Sequence, residues 1–208
     1  MRFLPATLAL LLASGAAVAQ APVQAPPSPP GAADTARVAA GTYAIEPNHT
    51  QVLFAVDHLG FSIFRGFFSN ASGTLTINPA DLTTTKLAVT VPVASVYTPS
   101  QKLNEELVSA DWFDAQQFPT ATFVSTKITP GPNAMALVEG NLTLHGVTKP
   151  ATMQVRFHGA GKSMISKGTA IGFDGRLAFS RNAFGIGKDV PYVSDHVELT
   201  IAAAFEQQ

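Results

Sequence analysis

The sequence predicts an all-β fold, a closed antiparallel barrel of about eight strands with one short helix. Three observations carry that expectation. From Gly41 onward apolar residues recur with period two almost everywhere, the spacing of half-buried strands. Turn signals such as Pro47-Asn48, Asn78-Pro79 and Gly131-Pro132-Asn133 separate the runs. Only one segment, Gln101 to Ala110, has helical spacing. A sandwich would satisfy the same pattern, but closure removes exposed edges, and Pro92 is the one strong edge device in the chain.

The chain starts with a segment that reads as an address. Arg2 supplies a positive n-region, Phe3 to Leu12 an apolar stretch, and Ala17-Val18-Ala19 a cleavage site, so residues 1–19 read as a signal peptide. The apolar run is short for a bilayer span, and no second span follows. Export to a periplasm is expected, with a secreted destination left open. Residues 20–40 are rich in Pro and Ala and read as a disordered linker. The folded unit is then 41–208. The 208 residues carry a formal net charge of −1 and are 13% charged. That suits one well-buried domain and excludes an electrostatic nucleic-acid binder.

Tyr43 and Ile45 form a first strand. From Gln51 to His58, Val52, Phe54, Val56 and His58 share one face, opposed by Leu53, Ala55 and Asp57. Phe61, Ile63, Phe64, Phe67 and Phe68 then crowd a stretch punctuated by Gly60, Ser62 and Gly66, which reads as a loop or short helical turn. So many exposed aromatics need cover. They form a lid, either over an ordinary core or over a cavity for an apolar ligand. Strands follow at Ala71–Ile77 and Leu87–Val93, where Pro92 marks an edge or bulge. Ser100 caps the helix, with Glu105 and Glu106 between Leu103 and Leu107. Trp112, Phe113 and Phe118 make a second aromatic cluster. Further strands cover Ala121–Ile128, Met135–Leu144, Ala151–His158, Thr169–Ser180 and Val197–Phe205, with Gly146–Pro150 as a connection. Fourteen phenylalanines exceed what the strand faces require, which favours a lined cavity. An eight-stranded barrel is just wide enough for one small ligand.

Chemistry-bearing patterns are sparse. There is no cysteine, which excludes disulfides, thiolate metal sites and a cysteine nucleophile. His49, His58, His145, His158 and His196 stand in no metal-binding spacing, so a metal site would have to be assembled across strands. There is no hydrolase elbow. Gly185-x-Gly187-Lys188 reads as a turn, and Asp111 and Asp114 as capping or solvated carboxylates. Arg181 follows the apolar row Ile171, Phe173, Leu177, Phe179 and needs a partner if buried. It forms an ion pair with Asp195, Asp189 or Asp57, or it contacts a phosphate or quinone oxygen at the barrel mouth.

Several segments in order resemble the YceI-like, polyisoprenoid-binding periplasmic family. They are Tyr43-x-Ile45 with Asn48-His49-Thr50, Val52-x-Phe54-x-Val56-x-His58, and Gly66-Phe67-Phe68 with Ala71-x-Gly73. Asp111-Trp112-Phe113-Asp114 with Phe118-Pro119 follows, then Gly140 to Pro150, Ser180-Arg181-Asn182-x-Phe184-Gly185 and Ser194-Asp195-x-Val197. Two departures fall in the second aromatic cluster and bear on ligand size and headgroup contacts. Asn104-Glu105-Glu106-Leu107 replaces an Asp-x-His-Leu pattern, and Trp112 stands where phenylalanine is commoner.

The resemblance implies a lipocalin-like barrel that binds a polyisoprenoid, an isoprenoid quinone or another long-chain lipid. It implies no reaction and no cofactor. The oligomeric state stays open, a homodimer included. The expected ligand-binding residues are Phe54, Val56, His58, Phe61, Phe64 and Phe67 in the first cluster. Trp112, Phe113, Phe118 and Phe123 follow, then Phe173, Phe179, Arg181 and Phe184. An enzyme acting on an apolar small molecule is the alternative, and it would need an acid–base pair such as His58 with Asp57 or Asp111. A filled core without a ligand is a third reading.

Overall fold

The predicted alternation becomes strand. The computed structural model describes residues 28–208. The predicted signal peptide, 1–19, and residues 20–27 of the predicted linker lie outside them. The chain runs through β1 (Gly41–Ile45), β2 (Gln51–His58), β3 (Ser62–Phe68), β4 (Ser72–Ile77) and β5 (Lys86–Pro92) to the helix α1 (Gln101–Leu107). Then come β6 (Thr120–Pro130), β7 (Met135–Leu144), β8 (Val147–Lys162), β9 (Thr169–Ser180) and β10 (His196–Gln207).

Every neighbour is antiparallel, in the order β1-β4-β5-β6-β7-β8-β9-β10, and β10 returns to β1. This closes an eight-stranded barrel. β2 and β3 add length to existing positions. β10 pairs with β2 through Glu198–Ala202 and with β1 through Phe205–Gln207, so β1 and β2 are two halves of one strand. β3 and β4 lie across from them in the same way. The break at Glu46–Thr50 is organised by Glu46, whose carboxylate accepts from the backbone N–H of Asn48 and His49 and from Asn48 Nδ2 at 2.8–3.1 Å. It also meets His49 Nδ1 at 2.5 Å.

Several expectations are corrected here. The stretch 61–68 is barrel wall, so it is neither a loop nor a lid. Leu59 and Gly60 both have positive φ, 60° and 71°, and are the central residues of a β-turn closed by Phe61 N–H to His58 O at 3.1 Å. Period two resumes beyond it, with Phe64 and Phe68 on one face and Ile63, Arg65 and Phe67 on the other. Gly66 is a packing glycine, because a Cβ there would stand 2.5 Å from the Phe54 ring.

The Gly146–Pro150 connection shrinks to His145-Gly146, both at positive φ, and Thr148 to Pro150 belong to β8. Pro92 marks no edge, since the barrel has closed. It ends β5 where a 3-10 turn, Val93–Ser95, begins, so its missing N–H interrupts no ladder.

Residues 28–40 correct the described part of the predicted disordered linker. Ala32 exchanges two backbone hydrogen bonds with Ala160, at 2.9 and 3.0 Å, on the edge of β8 beyond the start of β7. Thr35–Arg37 is a 3-10 turn capped by Asp34, and Val38 packs on the core cluster around Tyr43 and Ile171. The Tyr43 hydroxyl, on a residue 0% exposed, donates to Ala39 O at 2.8 Å. A few apolar contacts and these bonds suffice to place a Pro/Ala-rich segment. The helix is shorter than expected but is capped by Ser100, whose hydroxyl accepts from Leu103 N–H at 3.3 Å.

Candidate functional site

The inner faces of the strands enclose a cavity of about 960 Å³, at the upper end of ligand pockets in general. Every strand contributes. The row Val197, Leu199, Ile201, Ala203 and Phe205 on β10 lines it throughout, as does Leu87, Val89, Val91 on β5. The strands β9 and β10 have twelve residues each, which at ~3.3 Å per residue and a ~40° tilt makes the barrel about 30 Å long.

The rings lie along the wall and leave the middle open. Phe173 meets Phe157 and Phe205 edge-on at 5.9 and 6.0 Å, and Phe54 meets Phe68 at 5.8 Å. Glycines admit them to the wall. A Cβ at Gly140 would stand 2.5 Å from the Phe123 ring, as one at Gly66 would from Phe54. Such ring-over-glycine pairs brace a curved sheet.

The charged and titratable lining residues His58, Glu106, Arg181 and Asp189 stand at the α1 end. There the Trp112 Nε1–H donates to Glu106 at 3.2 Å. Lys188 Nζ donates to Asp111 at 2.9 Å and lies 3.6 Å from Glu106, which holds the ammonium pKa above its ordinary value. Trp112 and Glu106 are thus coupled. A tryptophan at 112 brings an indole N–H that needs an acceptor, and the glutamate at 106 supplies it.

Arg181 corrects the expected ion pair. It is 5% exposed and makes four hydrogen bonds to backbone carbonyls. Nε donates to Ser194 O at 2.9 Å, Nη1 to Ile186 O and Lys188 O at 2.7 and 2.8 Å, and Nη2 to Val193 O at 2.7 Å. Burial pulls its pKa below the ordinary range, against the charges of Asp195 and Asp189, which act from beyond ion-pair distance. Asp195 is itself engaged by the Ser180 hydroxyl and the Asn182 N–H, which hold its carboxyl low. The guanidinium face lies 5.4 Å from the Trp112 ring centroid. Arg181 therefore fastens the loop 186–194 to the barrel rim and walls one end of the lumen. The opposite end is lined by Thr35, Ala36 and Val38 together with the β6–β7 turn, and Thr85 Oγ1 is buried there without a partner among the described residues.

Ten of the fourteen expected residues line the cavity. On the hairpin these are Phe54, Val56, His58 and Phe64; after α1, Trp112 and Phe113; beyond them Phe123, Phe173, Phe179 and Arg181. Four do not. Phe61 is 87% exposed at the hairpin tip. Phe67 faces outward against Tyr97 at 5.2 Å, because β3 alternates. Phe118 covers Gly146 and packs on His145 at 4.6 Å. Phe184 is 2% exposed behind Phe179.

The lining also includes Met153 and Gly175, for which the period-two rows are the available signal, and Thr35, Ala36 and Val38, for which the sequence has none. The acid–base pairs a catalytic reading would need are not assembled. The Asp57 carboxylate accepts from Gly60 N–H at 2.7 Å on the outer side of the tip turn, and Asp111 is taken by Lys188. Among the described residues no cluster of three His, Asp or Glu could hold a metal ion, and no helix is long and apolar enough to cross a membrane.

Comparison with known proteins agrees with this architecture. A UPF0312 protein of Pseudomonas fluorescens is 38% identical over 173 residues, covering 80% of this chain and 87% of its own. The crystal structure of Burkholderia cenocepacia BcnA superposes with a TM-score of 0.70 at 27% identity, over 77% of this chain and 98% of that one. A polyisoprenoid binding domain from Saccharophagus degradans, 14% identical, shares the fold with a TM-score of 0.60 over 80% of this chain and 98% of its own. The family profile described as the YceI-like domain matches residues 43–205, and the chain therefore belongs to that family.

Proposed function

We propose that the protein is a non-enzymatic carrier that sequesters a polyisoprenoid, an isoprenoid quinone or a similar long-chain amphiphile inside the barrel. The observation that carries this reading is the lumen itself, about 960 Å³ and apolar along its length, with its charged lining residues at one end. Burial at ~25 cal/mol per Å² lets a long tail bind tightly with few polar contacts. Length favours a long tail. The barrel of about 30 Å is twice the ~15 Å that one leaflet of a bilayer offers an acyl chain. The fold shared with a polyisoprenoid binding domain supports the same class of ligand. The signal-like residues 1–19 support export, so the carrier works in the periplasm.

Native mass spectrometry of the purified protein tests the reading. The expected result is added mass that denaturation removes, with a long-chain lipid in the organic extract. An apo mass only, with no uptake of an added polyprenyl phosphate or quinone, overturns it in favour of an unliganded barrel.

A further inference from the structure

Two apolar side chains stand in water at the end of the barrel opposite α1. The β8–β9 loop carries Met164, 86% exposed, and Ile165, 65% exposed. The loop holds them there firmly. Ser163, 7% exposed, accepts through Oγ from the backbone N–H of Ile165 and Ser166 at 2.9 and 2.8 Å. The hairpin also projects beyond its neighbour. β7 begins opposite Arg156, whereas β8 continues to Lys162, paired with Thr169.

Cations flank the apolar tip. Lys162 and Lys167 stand on either side of it, and among the described residues neither has a carboxylate within 4.0 Å. Both border a shallow cleft with Arg37 and Gly168. The nearby acids are engaged: Asp34 lies 3.6 Å from Arg37, and Glu206 accepts from the Ser166 hydroxyl at 2.6 Å. The other exposed apolar tip, Leu59, Phe61, Ile63 and Tyr192 at the α1 end, has one cation, Arg65, and Asp57 beside it instead of a pair of lysines.

Exposed apolar side chains ringed by lysines match a bilayer surface bearing negative charge, with the tips among the acyl chains and the ammonium groups at the phosphates. We propose that the β8–β9 loop docks the barrel on an anionic lipid leaflet, bringing the end of the lumen lined by Thr35, Ala36 and Val38 to the membrane. The proposal rests on the carrier reading for its purpose, since a carrier has to meet the leaflet that holds its lipid.

Flotation with phosphatidylcholine vesicles, plain or with about a third phosphatidylglycerol, tests it on the mature protein. The wild type should bind the anionic vesicles and be released by salt, because the attraction fades within a Debye length of about 8 Å at physiological ionic strength. Each lysine near such a surface contributes about fivefold, so Lys162→Gln with Lys167→Gln should weaken binding roughly 30-fold. Met164→Ser with Ile165→Ser should weaken it as well, and Phe61→Ser at the opposite end should leave it unchanged.

Uptake of a fluorescent isoprenoid analogue from solution is measured in parallel and should persist in every loop variant. Loop variants that bind like the wild type overturn the proposal. So does a wild type that stays off both vesicles, which would assign the loop to a protein partner. Docking that depends on the loop, without any uptake in solution, supports the surface and overturns the carrier reading alone.

Discussion

Val56→Trp separates a ligand cavity from a filled core by the sign of a stability change. Val56 stands between Phe54 and His58 on β2, opposite Phe64, and lines the lumen. In a close-packed interior an added indole costs about 1–3 kcal/mol through overpacking. With about 960 Å³ open beside it, the indole instead buries new apolar area. If about 100 Å² of the ~150–250 Å² that a tryptophan covers is newly buried, ~25 cal/mol per Å² gives an upper bound of about 2.5 kcal/mol. Ordering the side chain offsets part of that, about 0.5–1 kcal/mol. The delipidated variant should therefore be as stable as the wild type or more stable, by up to about 2 kcal/mol. At a urea slope near ~2 kcal/mol per M, its midpoint stays or rises by up to about 1 M, where a filled core would lower it by about 0.5–1.5 M. Titration with the isoprenoid analogue should show sharply reduced uptake. Delipidation has to be complete, because bound lipid raises the wild-type midpoint by mass action. A lowered midpoint with unchanged uptake would place Val56 in solid core and refute the cavity on this strand.

Three further outcomes follow from particular contacts. Arg181→Met strips four carbonyls of their donor and should cost at least about 3 kcal/mol in urea denaturation, with Arg181→Lys recovering only part because an ammonium cannot fork; a cost below about 1 kcal/mol would refute its fastening role. Burial alone would raise the Glu46 pKa, but the donors of His49 and Asn48 outweigh it and hold it below 4.5. That stabilisation is present above the unfolded value and is lost as pH falls from 4.5 through the folded value, so Glu46→Gln should flatten the acid limb of a melting-temperature profile, and an unchanged limb would count against it. Removing residues up to Gly41 deprives the buried Tyr43 hydroxyl of its acceptor and removes Val38 from the core, so cooperative unfolding should shift by about 2 kcal/mol or more, and a shift within error would show that the segment contributes nothing.

The fold was legible wherever one face of a strand was apolar and the other polar. The rows on β2, β5 and β10 point into the lumen as their alternation implies. Legibility failed where glycine and aromatics mixed. Gly60 and Gly66 look alike in sequence, yet one turns a hairpin at positive φ and the other makes room for the Phe54 ring. Taken together they read as a loop, and a loop folded over a lumen would carry Phe61 and Phe67 inward. Phe118 and Phe184 failed for another reason, since an aromatic near a rim can cover a glycine or back another ring as readily as face a lumen. For Arg181 the sequence shows the nearby carboxylates but no backbone carbonyls, and those are what the guanidinium found.

A barrel can stay hollow because its stability does not depend on filling the middle. Closure pairs the strand edges, apart from the outer edge of β3, which meets Tyr97 through Phe67 alone, and this pairing does not depend on what occupies the lumen. Two apolar clusters supply burial at the wall, one around Tyr43, Ile45 and Ile171, the other joining α1 and Trp112 to β6, β7 and β9. The Phe54 and Phe123 rings pack onto Gly66 and Gly140, where a Cβ would stand 2.5 Å from them. A larger residue at either glycine would push its ring inward, trading lumen for packing. Such a wall gains free energy from any apolar chain long enough to cover it, which makes tail chemistry a weak discriminator and tail length a stronger one. Selectivity for the head then falls to the α1 end. The four charged or titratable lining residues gather there, with the Trp112 indole N–H donating to Glu106.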